Sequence, residues 1–221
     1  MPDCKETTPM SATPEYRLHC FRESGNAFKV AMMLDLCGAD WAPVPVAFGT
    51  GVTRTAAWRA EVNDMGEAPV LEHRGERLSQ SGVILDYLAT TTGRFGARDA
   101  AEQREIWRWI LFDNHKFTSY YATLRFQYGI QKTGDTPVTE FLRTRARAAW
   151  SLVDARLGSR DYLLGDRPTI ADLSLAGYLY YDEATGIDRA AEFPAIEAWT
   201  RRIAALPGWR PPAQAMPHQG I

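Results

Sequence analysis

The sequence predicts an α+β protein, a small α/β unit followed by an all-helical one. Three observations predict it. Short apolar or alternating runs are separated by helical stretches as far as residue 92. The composition then shifts at Gly93 to Gly96. Beyond that shift, residues 101 to 126, AEQREIWRWILFDNHKFTSYYATLRF, carry large apolar side chains at three- and four-residue spacing with no proline or glycine. The expected division is a tail over residues 1 to 15, an α/β domain over 16 to 92, and a helical domain over 93 to 221.

The elements follow in order. Residues 1 to 15 are polar, contain three prolines and lack the apolar stretch of a secretory signal, so they read as a disordered tail. Residues 16 to 21 form a short strand with Leu18 and Cys20 on one face. Residues 27 to 36, AFKVAMMLDL, are apolar almost all round and stop at Gly38, as a buried helix does. Residues 43 to 48, PVPVAF, alternate as a second strand, and residues 55 to 62 form a weaker helix. Residues 69 to 72 and 76 to 79 pair as a hairpin across Arg74-Gly75. Residues 82 to 89 are helical, with TTTG as the stop. A right-handed crossover makes the first two strands parallel, and the hairpin is antiparallel. In the second half, residues 138 to 157 repeat apolar side chains at helical spacing, and residues 194 to 206 form a shorter helix ending at Pro207-Gly208. Between them, Thr169 and Asp172 of RPTIADLSL have the spacing of a capping box. The proline-rich segment from Pro207 onward is expected to wrap the surface without regular structure.

Composition removes several function classes. Twenty-five basic residues balance 27 acidic ones for a net charge of -2, which offers no electrostatic attraction for nucleic acid or an anionic membrane. No segment approaches the roughly 18 uninterrupted apolar residues of a spanning helix. Cys4, Cys20 and Cys37 form no CxxC or zinc-ligand spacing, so a reduced, cytoplasmic setting with thiols as core fillers is expected. The four histidines, at 19, 73, 115 and 218, show no metal-ligand spacing, and no metal is expected.

Three short stretches carry possible chemistry. In GEAPVL, Pro69 heads a strand, where a residue without an N–H belongs. In SGNAFKV, Ser24 and Asn26 stand at the start of the first helix. In LSQSGVILDYL, Gln80 and Ser81 stand at another helix start, a ready anion site. Each has a plain structural reading too: Pro69 as a trans proline on an edge strand, Ser24 and Ser81 as caps, Asn26 as turn filler.

Taken together, SGNAFKV, NDMGEAPVLE, LSQSGVILDYL and RPTIADLSL resemble, in order and spacing, the soluble glutathione S-transferase superfamily over roughly residues 16 to 209. The first stretch is most similar to the bacterial nu class and its fungal nitrogen-regulator relatives. The resemblance implies a thioredoxin-like first domain, a cis Pro69, and glutathione as co-substrate. Ser24 and Asn26 would donate to its sulfur, and the Ala68 backbone would pair with its cysteinyl amide. Ser81 would hold its γ-glutamyl carboxylate, and Arg54 its glycyl carboxylate. Gln80 departs from the acid usual there: it would accept a hydrogen bond from the ligand's ammonium but cannot pair its charge. The long helix borders the acceptor pocket in that family, where Asn114, Phe117 and Tyr121 share a face by spacing. The implied activity is thiolate attack on a small electrophile or reduction of a disulfide or peroxide, in a homodimer serving detoxification. The alternative is a non-catalytic glutathione-binding or regulatory module. A thioredoxin-type oxidoreductase is disfavoured, because the first loop has no CxxC.

Overall fold

The computed structural model describes residues 13 to 219. Most of the expected N-terminal tail, including Cys4, lies outside the described residues. The first half is a four-stranded sheet in the order β2-β1-β3-β4, built from β1 (Tyr16–Cys20), β2 (Trp41–Pro45), β3 (Val70–His73) and β4 (Glu76–Ser79). β1 runs parallel to β2 and antiparallel to β3, and β3 and β4 form the hairpin. β2 lies earlier than the alternation of residues 43 to 48 implies, because its register pairs Tyr16 with Trp41 and Cys20 with Pro45. Pro43 and Pro45 lack N–H groups and are tolerated because β2 is an edge strand. Phe48 leaves the strand and stacks on Phe21 at 4.5 Å.

Helix α1 (Gly25–Cys37) explains its own lack of amphipathicity: it is covered on nearly every side. It packs on α3 (Ser81–Thr92), on α7 (Ile170–Ala176) of the second half, and on the turn α10 (Pro212–Ala215). Ser24 caps its start, and Gly38 ends it at φ 65°, a left-handed conformation that suits glycine. Between β2 and β3 lies the short α2 (Ala56–Glu61), capped by Thr55. The threonines of TTTG do not stop α3. Their hydroxyls return to carbonyls one turn back within the helix, and Gly93 alone is the stop.

In the second half, residues 100 to 130 are continuously helical but not uniformly α. α4 (Ala100–Phe112) passes into a π turn (Asp113–Phe117), α5 (Thr118–Leu124) follows, and a second π turn (Arg125–Ile130) ends the stretch. α6 (Pro137–Leu157), α8 (Arg189–Glu192) and α9 (Pro194–Ala204) complete the helical layer around the fully buried Trp150 and Trp199. The expected irregular C-terminal segment includes the single helical turn of α10.

Asp172 ties this half together. Its carboxylate, without solvent access, accepts the N–H of Thr169 at 2.8 Å and of Leu163 at 2.9 Å. It also accepts the Trp199 indole N–H and the Thr169 hydroxyl, each at 3.0 Å. Asp172→Ala strands these buried donors, each worth about 1–3 kcal/mol of desolvation. Urea unfolding should show a loss of about 4 kcal/mol or more; a loss under about 1 kcal/mol would contradict this assignment.

Candidate active site

A cleft of about 740 Å³ opens where the N-terminus of α1 and the segment before β3 face the long helical stretch, and a smaller recess of about 50 Å³ adjoins it at the start of α3. Ser24 and Asn26 lie on the α1 side. The Ser24 Oγ accepts the Ala27 N–H at 3.1 Å, which satisfies one free helix donor and leaves the hydroxyl proton available to donate. Asn26 lines both cleft and recess, and its buried Oδ1 has no hydrogen-bond partner among the described residues.

The opposite lip is the segment 63 to 69. Asn63 folds it by donating to the Glu67 carbonyl at 3.0 Å and accepting the Met65 N–H at 3.1 Å. The Ala68-Pro69 peptide bond is cis, and both residues line the recess. Gln80 follows β4 at φ 66°, a conformation uncommon outside glycine, and precedes α3 without a side-chain cap. Ser81, though only 6% exposed, lines the recess with the uncapped start of α3 behind it. The recess thus presents unpaired N–H groups and a hydroxyl, a receptor for a carboxylate.

Arg54 lines the cleft, as does Arg59, whose guanidinium packs against Gly66 and donates to the Asp64 carbonyl at 2.7 Å. Two cations therefore border the same cleft.

The far wall corrects the expected acceptor face. Asn114 lines the cleft, but Phe117 and Tyr121 do not. Both are buried against Trp150, with ring centroids at 5.8 and 4.7 Å. The π turn is the cause. It closes with the Thr118 N–H on the Asp113 carbonyl, a bond that spans one residue more than that of an α-helix, so the faces beyond it rotate. Thr118, Ser119, Ala122, Thr123 and Phe126 line the cleft instead.

The loop that delivers Ser24 is fixed from the second half by Arg125, which is 2% exposed. Its guanidinium donates to the Glu23 carbonyl at 2.8 Å, grips Glu183 through Nε and Nη2 at 2.8 and 2.5 Å, and lies 3.9 Å from the Tyr181 ring centroid. The Tyr181 hydroxyl donates to the Arg22 carbonyl at 2.7 Å. Sequence reasoning missed Glu67, Arg59, Arg125 and Tyr178, and no local spacing marks them. Tyr178 lines the cleft with its ring against Gly25, where a Cβ would lie 2.4 Å from it, and burial pushes its phenol up to about 12. Cys20, behind the loop, has no solvent access, and burial pushes its thiol up to about 12, which makes it a poor nucleophile. Among the described residues no group of His, Cys, Asp or Glu is arranged to hold a metal, and no helix is long and apolar enough to cross a membrane.

With this arrangement of sheet, helices and cleft in place, the comparisons define the class. The chain matches the family described as glutathione S-transferase, N-terminal domain, over residues 14 to 90, and glutathione S-transferase, C-terminal domain, over residues 119 to 207. It is 30% identical to a maleylacetoacetate isomerase of Rhizobium meliloti, over 86% of this chain and 91% of that protein. Protein URE2 of Eremothecium gossypii is 26% identical, over 87% of this chain and 66% of its own length. A possible glutathione S-transferase from Rhodopseudomonas palustris has a similar structure, with a TM-score of 0.82 at 31% identity, over 90% of this chain and 98% of that one. The chain belongs to the glutathione S-transferase superfamily: a thioredoxin-like domain followed by an all-helical one.

The Arg125 clamp yields a pH-dependent expectation. Burial raises the Glu183 carboxyl, but hydrogen bonding and charge from Arg125 pull it further down, so it lies below its ordinary value. A depressed carboxyl contributes stability above its unfolded pKa of about 4.3 and loses it as pH falls through the folded value. Glu183→Gln should cost about 2 kcal/mol at pH 7, because it leaves a buried guanidinium charge uncompensated. Urea midpoints of the two proteins should converge as pH drops below about 4. A difference that is constant from pH 7 to pH 3 would contradict the clamp.

Proposed function

We propose that this protein is a glutathione transferase of the nu-class type, which activates the glutathione thiolate for attack on a small electrophile or a disulfide or peroxide. The observation that carries the reading is the placement of Ser24 and Asn26, at the start of α1, on one cleft with the Ala68 backbone and the uncapped start of α3. The tripeptide would run between these points. Ser81 and the α3 N–H groups would hold the γ-glutamyl carboxylate, the Ala68 backbone would pair with the cysteinyl amide as an added strand does, and Arg54 with Arg59 would face the glycyl carboxylate.

The sulfur then lies at the N-terminus of α1, where the helix dipole and two donors, the Ser24 hydroxyl and the Asn26 amide, favour the thiolate. The thiol proton leaves to solvent. In conjugation, a carbon–sulfur bond forms as the electrophile's leaving group departs with its electron pair. In disulfide reduction, the thiolate forms a mixed disulfide and releases one half of the substrate as a thiolate; a second glutathione then releases the other half and leaves glutathione disulfide. The cleft wall of Thr118, Ser119, Ala122, Thr123 and Phe126 replaces Phe117 and Tyr121 as the acceptor side. Residues 16 to 92 would thus form the glutathione domain and 93 to 221 the acceptor domain, in a cytoplasmic homodimer acting in detoxification.

The second reading is a glutathione-binding regulatory module. It is favoured by the likeness to protein URE2 and by the engagement of Ser24 as a helix cap. Turnover with a haloarene and with a mixed disulfide separates the two readings: binding without either reaction would favour the module.

Thiolate absorbance of the glutathione complex against pH tests activation. In the wild type the bound thiol should titrate below the free value of about 8.5. Ser24→Ala should raise that pKa by about one unit, since one hydrogen bond to a charged group is worth about 1.5–3 kcal/mol, while affinity changes little. Asn26→Ala should act in the same direction. Three coincident titrations would show that neither side chain activates the sulfur.

A further inference from the structure

At the mouth of the recess stands a carboxylate that the reading above leaves without work. Glu67 lines both the cleft and the recess. Its backbone is fixed by Asn63 through its own carbonyl, at 3.0 Å. Its Oε2 accepts the Gln80 side-chain N–H at 2.8 Å, and that same amide nitrogen lies 3.4 Å from the Met65 sulfur. Gln80 is neutral, so this bond orients Glu67 without cancelling its charge, and Oε1 remains as an acceptor. Arg59, which lines the same cleft, spends one nitrogen on the Asp64 carbonyl.

Beside Glu67, the recess ends at the uncapped start of α3, a place suited to an anion. Ser81 is more than nine-tenths buried and lines the recess, and the start of α3 beside it carries no side-chain cap. A fixed negative charge next to an anion receptor is costly unless the ligand brings both signs on adjacent atoms. An α-amino acid group does so, with a carboxylate and an ammonium on one carbon.

Resting on the glutathione reading, we infer that Glu67, oriented by Gln80, is the specificity residue that pairs with the α-ammonium of the γ-glutamyl end. The charge absent from position 80 is supplied from position 67. Gln80 acts only as a positioning residue, and its left-handed backbone turns its amide toward Glu67. No covalent step is involved. The pair selects ligands with a free amine over ligands that lack it.

The test is calorimetric binding of two ligands: glutathione, and the analogue in which a glutaryl group replaces γ-glutamyl and so lacks the amine. The wild type should prefer glutathione by roughly tenfold, equivalent to about 1.4 kcal/mol. Glu67→Gln should weaken glutathione by about that factor and leave the analogue unchanged, which abolishes the preference. Added salt should shrink the wild-type preference and not the variant's. Gln80→Glu in the Glu67→Gln background should restore much of the preference. Equal discrimination by the wild type and Glu67→Gln would overturn the assignment of Glu67 while leaving glutathione binding intact. Failure of the wild type to bind either ligand at millimolar concentration would overturn the glutathione reading, and this inference with it.

Discussion

A lysine and an aspartate meet at 2.7 Å in the interior, both with no solvent access, and the relation between the two halves depends on them. Lys29 belongs to α1 and Asp113 opens the first π turn. Taking both charges out of water costs several kcal/mol per ion, and their attraction offsets this only with good geometry and further hydrogen bonds. The further bonds are present. The Ser174 hydroxyl donates to Asp113 from α7 at 2.7 Å, and the Thr118 hydroxyl makes a short bond to the other carboxylate oxygen. Lys29 also reaches the Thr118 Oγ at 3.4 Å and lies 5.8 Å from the Tyr178 ring centroid. Gly177 makes room for it, since a Cβ there would fall 2.3 Å from the Lys29 side chain.

This network fixes four elements, α1, the π turn, α5 and α7, at one point and thereby shapes the cleft. Asp113 can face Lys29, and Thr118 can return to Asp113, because the turn between them is π. The same turn carries Phe117 and Tyr121 onto Trp150 and brings Thr118 and Ser119 to the cleft. α1 thus has three tasks. Its flank covers the sheet, Lys29 anchors the second half, and its N-terminus carries Ser24 and Asn26. Arg125 repeats the design one step away, joining the second half to the loop just before Ser24.

Much of this was legible in the sequence where the signal is local. Gly38 and Gly93 as helix stops, Thr169 with Asp172 as a capping box, and Pro69 ahead of a hairpin strand each express a backbone requirement that neighbouring residues reveal. The cleft residues Ser24, Asn26, Ala68, Gln80 and Ser81 were reached through ordered motifs, and Arg54 and Asn114 only through a place before a helix and a spacing along one. Residues that act across the chain were not reached. Lys29 interrupts AFKVAMM like any stray polar residue, and its partner is 84 positions away. Arg125 meets Glu183 across 58 positions. Phe117 and Tyr121 were misplaced because spacing was counted on an unbroken α-helix, and nothing in DNHKFT announces a π turn. Side-chain identity marks such a turn only once the buried carboxylate that it serves is known.

Lys29 and Asp113 act as one unit. A double-mutant cycle in urea unfolding, with Lys29→Met, Asp113→Leu and the pair together, measures this directly. Each single change leaves one buried charge uncompensated and should cost about 3–5 kcal/mol. The double variant should be no worse than the better single one, a coupling of about 2 kcal/mol or more. Single losses below about 1 kcal/mol that simply add would contradict the account.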